Sequence, residues 1–428
     1  MTFRRRRRIN WVSVISLIIG VIGIGSLIIP RISLPKTFNR LSFFPQPTPS
    51  ATPTIDDGAA ALTKANALFD DGKLDQAVDQ YALVAAIAER AQADFSYIAD
   101  KLDAAGNTEE AAARRTDAQN AILRAGSAYT RACNILAMRQ KTDDAIARCN
   151  RAIEINNRSA EAYAYLALAY DRADDYDKAI AAAQRAVDLD PTLAEGYAFL
   201  AEAYADKSPF EKRNMQTALK AVEVNNKSAF AHRNLGWVYE TEGNYQQAAL
   251  SHKRATELMP NLSYFYIDLC RARKVLGQTA EATTACQKAT ELDPQNAETY
   301  DRLGQLYYDT FDNQKALVQF QKATEVDPSY ASAYAHLGWV YYFRMYTWEK
   351  AAAAFEKALE LGTNKMRPSL VAELQTELGW SYYRLGRCAD ARPMFDRALG
   401  LLSKFSGSSA ATISQQANEG IKACEGKK

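Results

Sequence analysis

Histidine is scarce in this chain. There are three in 428 residues, His232, His252 and His336, and none lies within ligand spacing of another or of a cysteine. Zinc modules need paired Cys or His ligands a few residues apart, so this composition argues against one. No C-x-x-C, Gly-rich phosphate loop, G-x-S-x-G or H-E-x-x-H occurs. The common catalytic constellations are therefore missing, and the expectation is a non-enzyme with no metal and no cofactor. The body also lacks a basic block. Residues 1–40 hold eight Lys/Arg and no Asp/Glu, which leaves 44 basic against 50 acidic residues over 41–428, a net of −6. A mildly acidic body argues against a nucleic-acid partner.

Long hydrophobic runs are absent as well, with one exception. Trp11 to Ile29 is nineteen residues without a charge, close to the ~20 that cross a bilayer as a helix. It follows Arg4–Arg8 and ends in Ile28-Ile29-Pro30 rather than in small residues suited to cleavage. An uncleaved signal-anchor helix is therefore expected over 11–30 in preference to a cleaved signal peptide. The five arginines outnumber Arg31, Lys36 and Arg40 on the far side. By the positive-inside rule, residues 1–10 face the cytoplasm and the rest of a single-pass membrane protein lies outside it. Six of the 13 prolines fall between residues 30 and 53, so 31–57 reads as a semi-rigid spacer.

What fills the rest is repetition. AEAYAYLALAYDRADDYDKAIAAAQRAVDLDP (160–191) aligns with AETYDRLGQLYYDTFDNQKALVQFQKATEVDP (297–328). Such stretches begin at 58, 92, 126, 160, 194, 229, 263, 297, 331 and 372, and seven of the nine steps are 34 residues. Within each unit the apolar residues recur at three- and four-residue steps on both sides of a turn. That pattern is two amphipathic helices, A and B. Ala145, Ala179, Ala248, Ala282 and Ala316 form one row of small residues, and Pro191, Pro260, Pro294 and Pro328 close their units.

These positions resemble the tetratricopeptide repeat, with aromatics at position 4, Leu at 7, Gly/Ala at 8, Tyr at 11, Ala at 20 and 27, and Pro at 32. The resemblance is weakest in the first two units, where Arg115 stands at position 24. It implies an all-α, right-handed α-solenoid of about ten helical hairpins over 58–405, preceded by the one transmembrane helix. SSAATISQQANEGIKAC, in the tail 406–428, is expected to form a capping helix over the open end of the core. Lys207-Ser208-Pro209 reads as a longer turn and Gly362–Leu370 as an insertion.

In that frame the six cysteines form pairs. Cys133 and Cys149 stand at positions 8 and 24 of the third unit, and Cys270 and Cys286 at the same positions of the seventh. In a hairpin turning near position 16 these positions lie at one height. Position 8 is where the family places its smallest residue, so a Cα separation inside the ~4.4–6.8 Å disulfide window is expected. Cys388, in the last A–B turn, and Cys424, in the capping helix, form the third candidate pair. Three pairs imply an oxidising compartment, in agreement with the topology.

In this family positions 2, 5, 9, 12 and 13 of the A helices line the concave face. Repeats two to five offer Asp100, Asp103, Asn134, Asp171 and Glu202 there. Repeats six to ten offer Trp237, Arg271, Lys274, Gln305, Tyr308, Trp339, Tyr342, Phe343, Trp380 and Tyr383. Clustered aromatics beside Arg suit hot spots for protein or peptide partners, and they also suit stacking on sugar rings. The expected function is a membrane-anchored scaffold for protein partners, with an envelope glycan-binding module as the alternative. Position 5 holds no Lys, so the family's carboxylate clamp for chaperone tails is not carried over.

Overall fold

The protein is described by a computed structural model, which covers residues 55–363, 366–403 and 408–426. The expected cytoplasmic N-terminus (1–10), the anchor (11–30) and the spacer as far as residue 54 lie outside the described residues. Among the described residues no helix is long and apolar enough to cross a membrane.

The described chain is all-helical. It begins with α1 (Ala59–Asp70), α2 (Leu74–Ala104), α3 (Thr108–Met138) and α4 (Thr142–Ile155). Regular A/B hairpins follow: α5 (Ala160–Arg172) with α6 (Tyr176–Leu189), α7 (Ala194–Lys207) with α8 (Lys212–Val224), and α9 (Ala229–Thr241) with α10 (Tyr245–Leu258). Next come α11 (Ser263–Val275) with α12 (Thr279–Leu292) and α13 (Ala297–Asp309) with α14 (Asn313–Val326). The ninth A helix, α15 (Ala331–Trp339), runs into a π-helical turn, Val340–Arg344, before α16 (Trp348–Gly362). The last hairpin is α17 (Pro368–Arg384) with α18 (Cys388–Leu402), and α19 (Ser408–Glu425) packs on both.

The expected break between the first and second repeats, and between the second and third, does not occur. Helices α2 and α3 each run 31 residues without interruption, about 46 Å at 1.5 Å per residue. Later units stop at Asn156-Asn157 or Asp190-Pro191, whereas the junction near residue 91 reads AERAQADF. Ala, Glu, Arg and Gln favour helix, and nothing there ends one. The far halves of α2 and α3 therefore form a long antiparallel hairpin with its own small core of Ala91, Phe95, Ala118 and Ala121. Arg115 is exposed on it and pairs with Asp103 and Asp100. Position 24 is polar here because no hairpin covers it.

In the sixth, eighth, ninth and tenth repeats a ring at or next to position 24 fills the centre of the hairpin. Phe320, Phe355 and Phe395 are all but completely buried, as is His252. Each ring lies on the glycine at position 8 of the opposite helix: Gly236 under His252, Gly304 under Phe320, Gly338 under Phe355 and Gly379 under Phe395. The two cysteine hairpins use the same crossing. The structure pairs Cys133 with Cys149 and Cys270 with Cys286, at Cα separations of 5.4 and 5.3 Å, and Cys388 with Cys424 at 5.4 Å.

The solenoid also touches itself across several repeats. Asn261 Nδ2, in the α10–α11 loop, donates to the Asp70 carbonyl at 3.0 Å. Gly72 in the α1–α2 turn has φ 75°, and a Cβ there would stand 1.9 Å from the Asn261 carbonyl oxygen. Glycine is required on both counts. Arg139, in the α3–α4 turn, reaches Asp75 at 3.1 Å and Asp293 at 3.4 Å, and it donates to the Gln295 carbonyl.

Candidate functional site

The face formed by the A helices divides into a closed stretch and an open one. In the closed stretch Tyr165, Phe199, Phe230 and Phe265 form a chain of rings with centroids 5.4–6.0 Å apart from neighbour to neighbour. Beside it runs a buried ion-pair ladder. Arg172 bridges Asp171 at 2.9 Å and Glu202 at 2.8 Å and donates to the Tyr264 hydroxyl. Arg233 bridges Glu202 and, at 2.8 Å, Asp268. Arg271 bridges Asp268 at 2.8 Å and Glu240 at 2.9 Å. Burial would raise the Asp268 carboxyl, but the charges of Arg233 and Arg271 hold it well below the usual carboxylate range. At the other end, burial and the Glu202 charge push Asp206 up to about 6.

Two residues expected on the binding face belong to this ladder. Trp237 lies under the guanidinium of Arg271, 4.7 Å from its ring centroid, and donates its Nε1 proton to Asp206 at 2.7 Å. Arg271 is engaged by Glu240 and Asp268. Hydrogen bonds and ion pairs of this kind fix both side chains in place.

The open stretch begins at α11. Lys274, Tyr308 and Trp339 share one recess of about 180 Å³ with Gln305, Asp309, Phe320 and His336. Lys274 bridges Asp309 at 2.8 Å. His336 Nδ1 is 2.7 Å from Asp301, and its ring stacks on Phe320 at 5.0 Å and meets Trp339 edge-on at 5.2 Å. Trp339 is thereby held in one orientation with part of its ring uncovered.

Beyond the recess the π-helical turn inserts one residue, so Phe355 rather than Ala354 takes the hairpin centre. Turns of this type are frequent at functional sites. Here it gathers Tyr342, Phe343, Tyr346 and Trp348 edge-to-face at 4.7–5.7 Å. Arg344 turns back over the rings of Tyr308 at 4.6 Å and Phe311 at 4.5 Å. Phe311 and Tyr346 have φ of 62° and 55° in turns where other repeats place Gly106, Gly243, Gly277 and Gly386. A bulky residue there is strained. Trp380 contacts Tyr383 at 5.4 Å and the core ring of Phe395 at 5.6 Å.

Sequence reasoning passed over three groups. Arg344 is shifted out of register by the inserted residue, and His336 was set aside because it lacks ligand spacing. Glu377 stands at position 6 of the last A helix, outside the family's concave positions. It is buried (7 % exposed), no hydrogen bond or ion pair reaches it among the described residues, and its Oε2 is sealed from solvent. Burial first, and then the charge of Glu373, push its carboxyl up to about 7.

The comparisons agree with this architecture. Models of the tetratricopeptide repeat match residues 160–193, 297–330 and 371–401. The chain is a tetratricopeptide-repeat protein. No curated protein matches it in sequence. Its fold is similar to the crystal structure of the Cut9–Hcn1 hetero-tetramer of the APC/C (TM-score 0.53, 17% identity, 84% of this chain and 76% of that one). It is also similar to the human IFIT1 dimer with PPP-AAAA (TM-score 0.51, 17% identity, 82% and 92%). At this identity the likeness is one of fold.

Proposed function

We propose that the protein is a non-catalytic, membrane-anchored scaffold whose repeat domain lies outside the cytoplasm and binds protein partners through the open stretch from α11 to α17. One observation carries this reading. The recess at Lys274, Tyr308 and Trp339 and the aromatic cluster behind it remain partly uncovered, while Tyr165, Phe199, Phe230 and Phe265 of the fourth to seventh repeats are buried and the recess of the second repeat, beside Asp100 and Arg115, is lined mostly by polar side chains. Large rings held rigid by neighbours, beside Arg, suit a protein hot spot because little side-chain entropy is lost on binding. The anchor and the outside location rest on Arg4–Arg8 and Trp11–Ile29 alone. The glycan alternative draws less support, since Trp380 and Trp339 have aromatic edges against them where a sugar ring would stack.

The test is capture of partners from native membranes with the tagged full chain and with Trp339→Ala. A protein bound by the first and lost by the second supports the reading. Identical capture by both, or binding of cell-wall oligosaccharides that quenches Trp fluorescence, overturns it.

A further inference from the structure

Two rings on the A–B turn edge of the open stretch combine features that a fold ordinarily avoids. Phe311, in the α13–α14 turn, and Tyr346, just after the π-helical turn, are 69% and 67% exposed, and both hold left-handed backbone. Other repeats place Gly106, Gly243, Gly277 and Gly386 in such turns, and glycine takes that conformation without strain. Backbone strain and exposed apolar surface both cost the free protein stability, and both collect where partners bind.

The two rings belong to one continuous surface. Arg344 lies over Phe311 at 4.5 Å and over Tyr308, a wall of the recess, at 4.6 Å. Tyr346 meets Trp348 at 5.7 Å, and Arg384, in the last turn of α17, lies over Trp348 at 5.7 Å. Neither guanidinium meets a carboxylate among the described residues, whereas Arg172, Arg233 and Arg271 of the closed stretch each have two. Asp309 and Asp312, on either side of Phe311, are engaged by Lys274 at 2.8 Å and Lys315 at 2.7 Å. Arg344 is half-buried and Arg384 exposed, so both are within reach of a ligand from solvent.

We infer that this edge is the docking surface for an acidic segment of a partner protein, whose carboxylates pair with Arg344 and Arg384 and whose apolar side chains cover Phe311 and Tyr346. This deepens the reading of the groove as a partner site and rests on it, because Tyr308 belongs to both. A guanidinium supported on an aromatic face keeps its planar fork of donors for a carboxylate, which it holds through two parallel hydrogen bonds. An anionic bilayer is the poorer fit, since the exposed acids Asp309 and Glu349 on the same edge would face its phosphates. A protein segment can place its acids at the two arginines alone.

The test is calorimetric titration of the full chain in phosphatidylcholine nanodiscs with a blocked peptide of Asp, Glu and Leu, and with its Asn/Gln/Leu counterpart. The acidic peptide is expected to bind at least about tenfold more tightly, with the difference shrinking as salt is added. Arg344→Gln combined with Arg384→Gln should remove the difference. Phe311→Gly should weaken the acidic peptide several-fold while melting no lower than the wild type, because glycine relieves the turn. Phe210 is left-handed and exposed in the same way, but no guanidinium lies over it among the described residues. Phe210→Gly should therefore leave binding unchanged. Equal binding of the two peptides, or a difference that survives in the double variant, overturns the proposal. So does loss of peptide binding when the nanodiscs contain phosphatidylglycerol, which would make lipid the occupant. The two readings fail separately. If a native partner needs Trp339 but neither arginine, the groove stands and the acidic docking edge falls; if it needs none of them, both fall.

Discussion

The ring of Phe395 lies so close to Gly379 that a Cβ on the glycine would come within 2.6 Å of it. The same crossing holds Gly304 under Phe320, at 2.6 Å, and Gly338 under Phe355, at 2.4 Å. A buried ring cannot yield without opening the hairpin. Gly304→Ala should therefore lower stability by about 1–3 kcal/mol, the usual cost of overpacking, although alanine is the better helix former. Gly400, in α18 with nothing near its Cβ, is the control: Gly400→Ala should leave the denaturation midpoint unchanged or raise it.

Where the ring and glycine are missing from that crossing, the two cysteine hairpins hold it covalently. Each closes a loop of 16 residues, for which chain entropy suggests about 3 kcal/mol. Peptide mapping without reductant should find Cys133–Cys149, Cys270–Cys286 and Cys388–Cys424 in protein from its native compartment. Free thiols at 270 and 286 would contradict the pairing and the oxidising location together.

Trp339 and Trp380 occupy the same repeat position with different surroundings. Trp380 touches the core ring of Phe395, so Trp380→Ala should leave a cavity and cost on the order of 3 kcal/mol in thermal or urea unfolding. Trp339 faces the recess. Its replacement by alanine should weaken partner binding about thirtyfold, equivalent to ~2 kcal/mol, with a much smaller change in melting temperature. Reversed outcomes would exchange site and core.

Stability should depend on pH through Glu377. Its carboxyl titrates at about 7 in the folded protein against 4.5 ordinarily, so the folded state retains a proton that the unfolded chain has released. The resulting penalty is absent below the ordinary value, grows as pH rises, and is complete above about 7. Glu377→Gln should melt higher than the wild type at pH 8, by up to about 3 kcal/mol of stability, and no higher at pH 4.5. Parallel melting curves at both pH values would mean that Glu377 is ionised and solvated throughout.

The topology makes its own prediction. Protease added to intact cells or spheroplasts should digest the repeat body if Arg4–Arg8 hold the N-terminus inside. Complete protection of a body that is cleaved after lysis would reverse the orientation.

Much of this architecture was legible in the sequence because small and aromatic residues return at fixed places in a period of 34 over hundreds of residues. The period alone could not reveal α2 and α3. Their apolar spacing matches that of two separate helices, and only the missing Asn or Pro at the junction distinguishes one helix from two. The groove was half legible. Aromatics at positions 9 and 12 marked Lys274, Tyr308 and Trp339 correctly as neighbours, but the same rule grouped Trp237 and Arg271 with them. Their partners, Asp206 and Glu240, lie one repeat away, and the aromatic rule does not show which acids meet them in space. Glu377 was illegible for a different reason: an unpaired acid is defined by what fails to meet it in space.

The contacts of Gly72 with Asn261 and of Arg139 with Asp293 join loops separated by nearly two hundred and by more than one hundred and fifty residues. In an open solenoid each repeat feels only its neighbours, so unfolding can begin at an end and travel inward unit by unit. Here the first three repeats cannot fray without also uncovering the loops that flank α11 and α12. The array therefore acts as a closed circuit over most of its length. Hydrogen exchange should show the amides of α1 and α11 opening together, with refolding slower than in an open array of equal size because these distant loops must meet first.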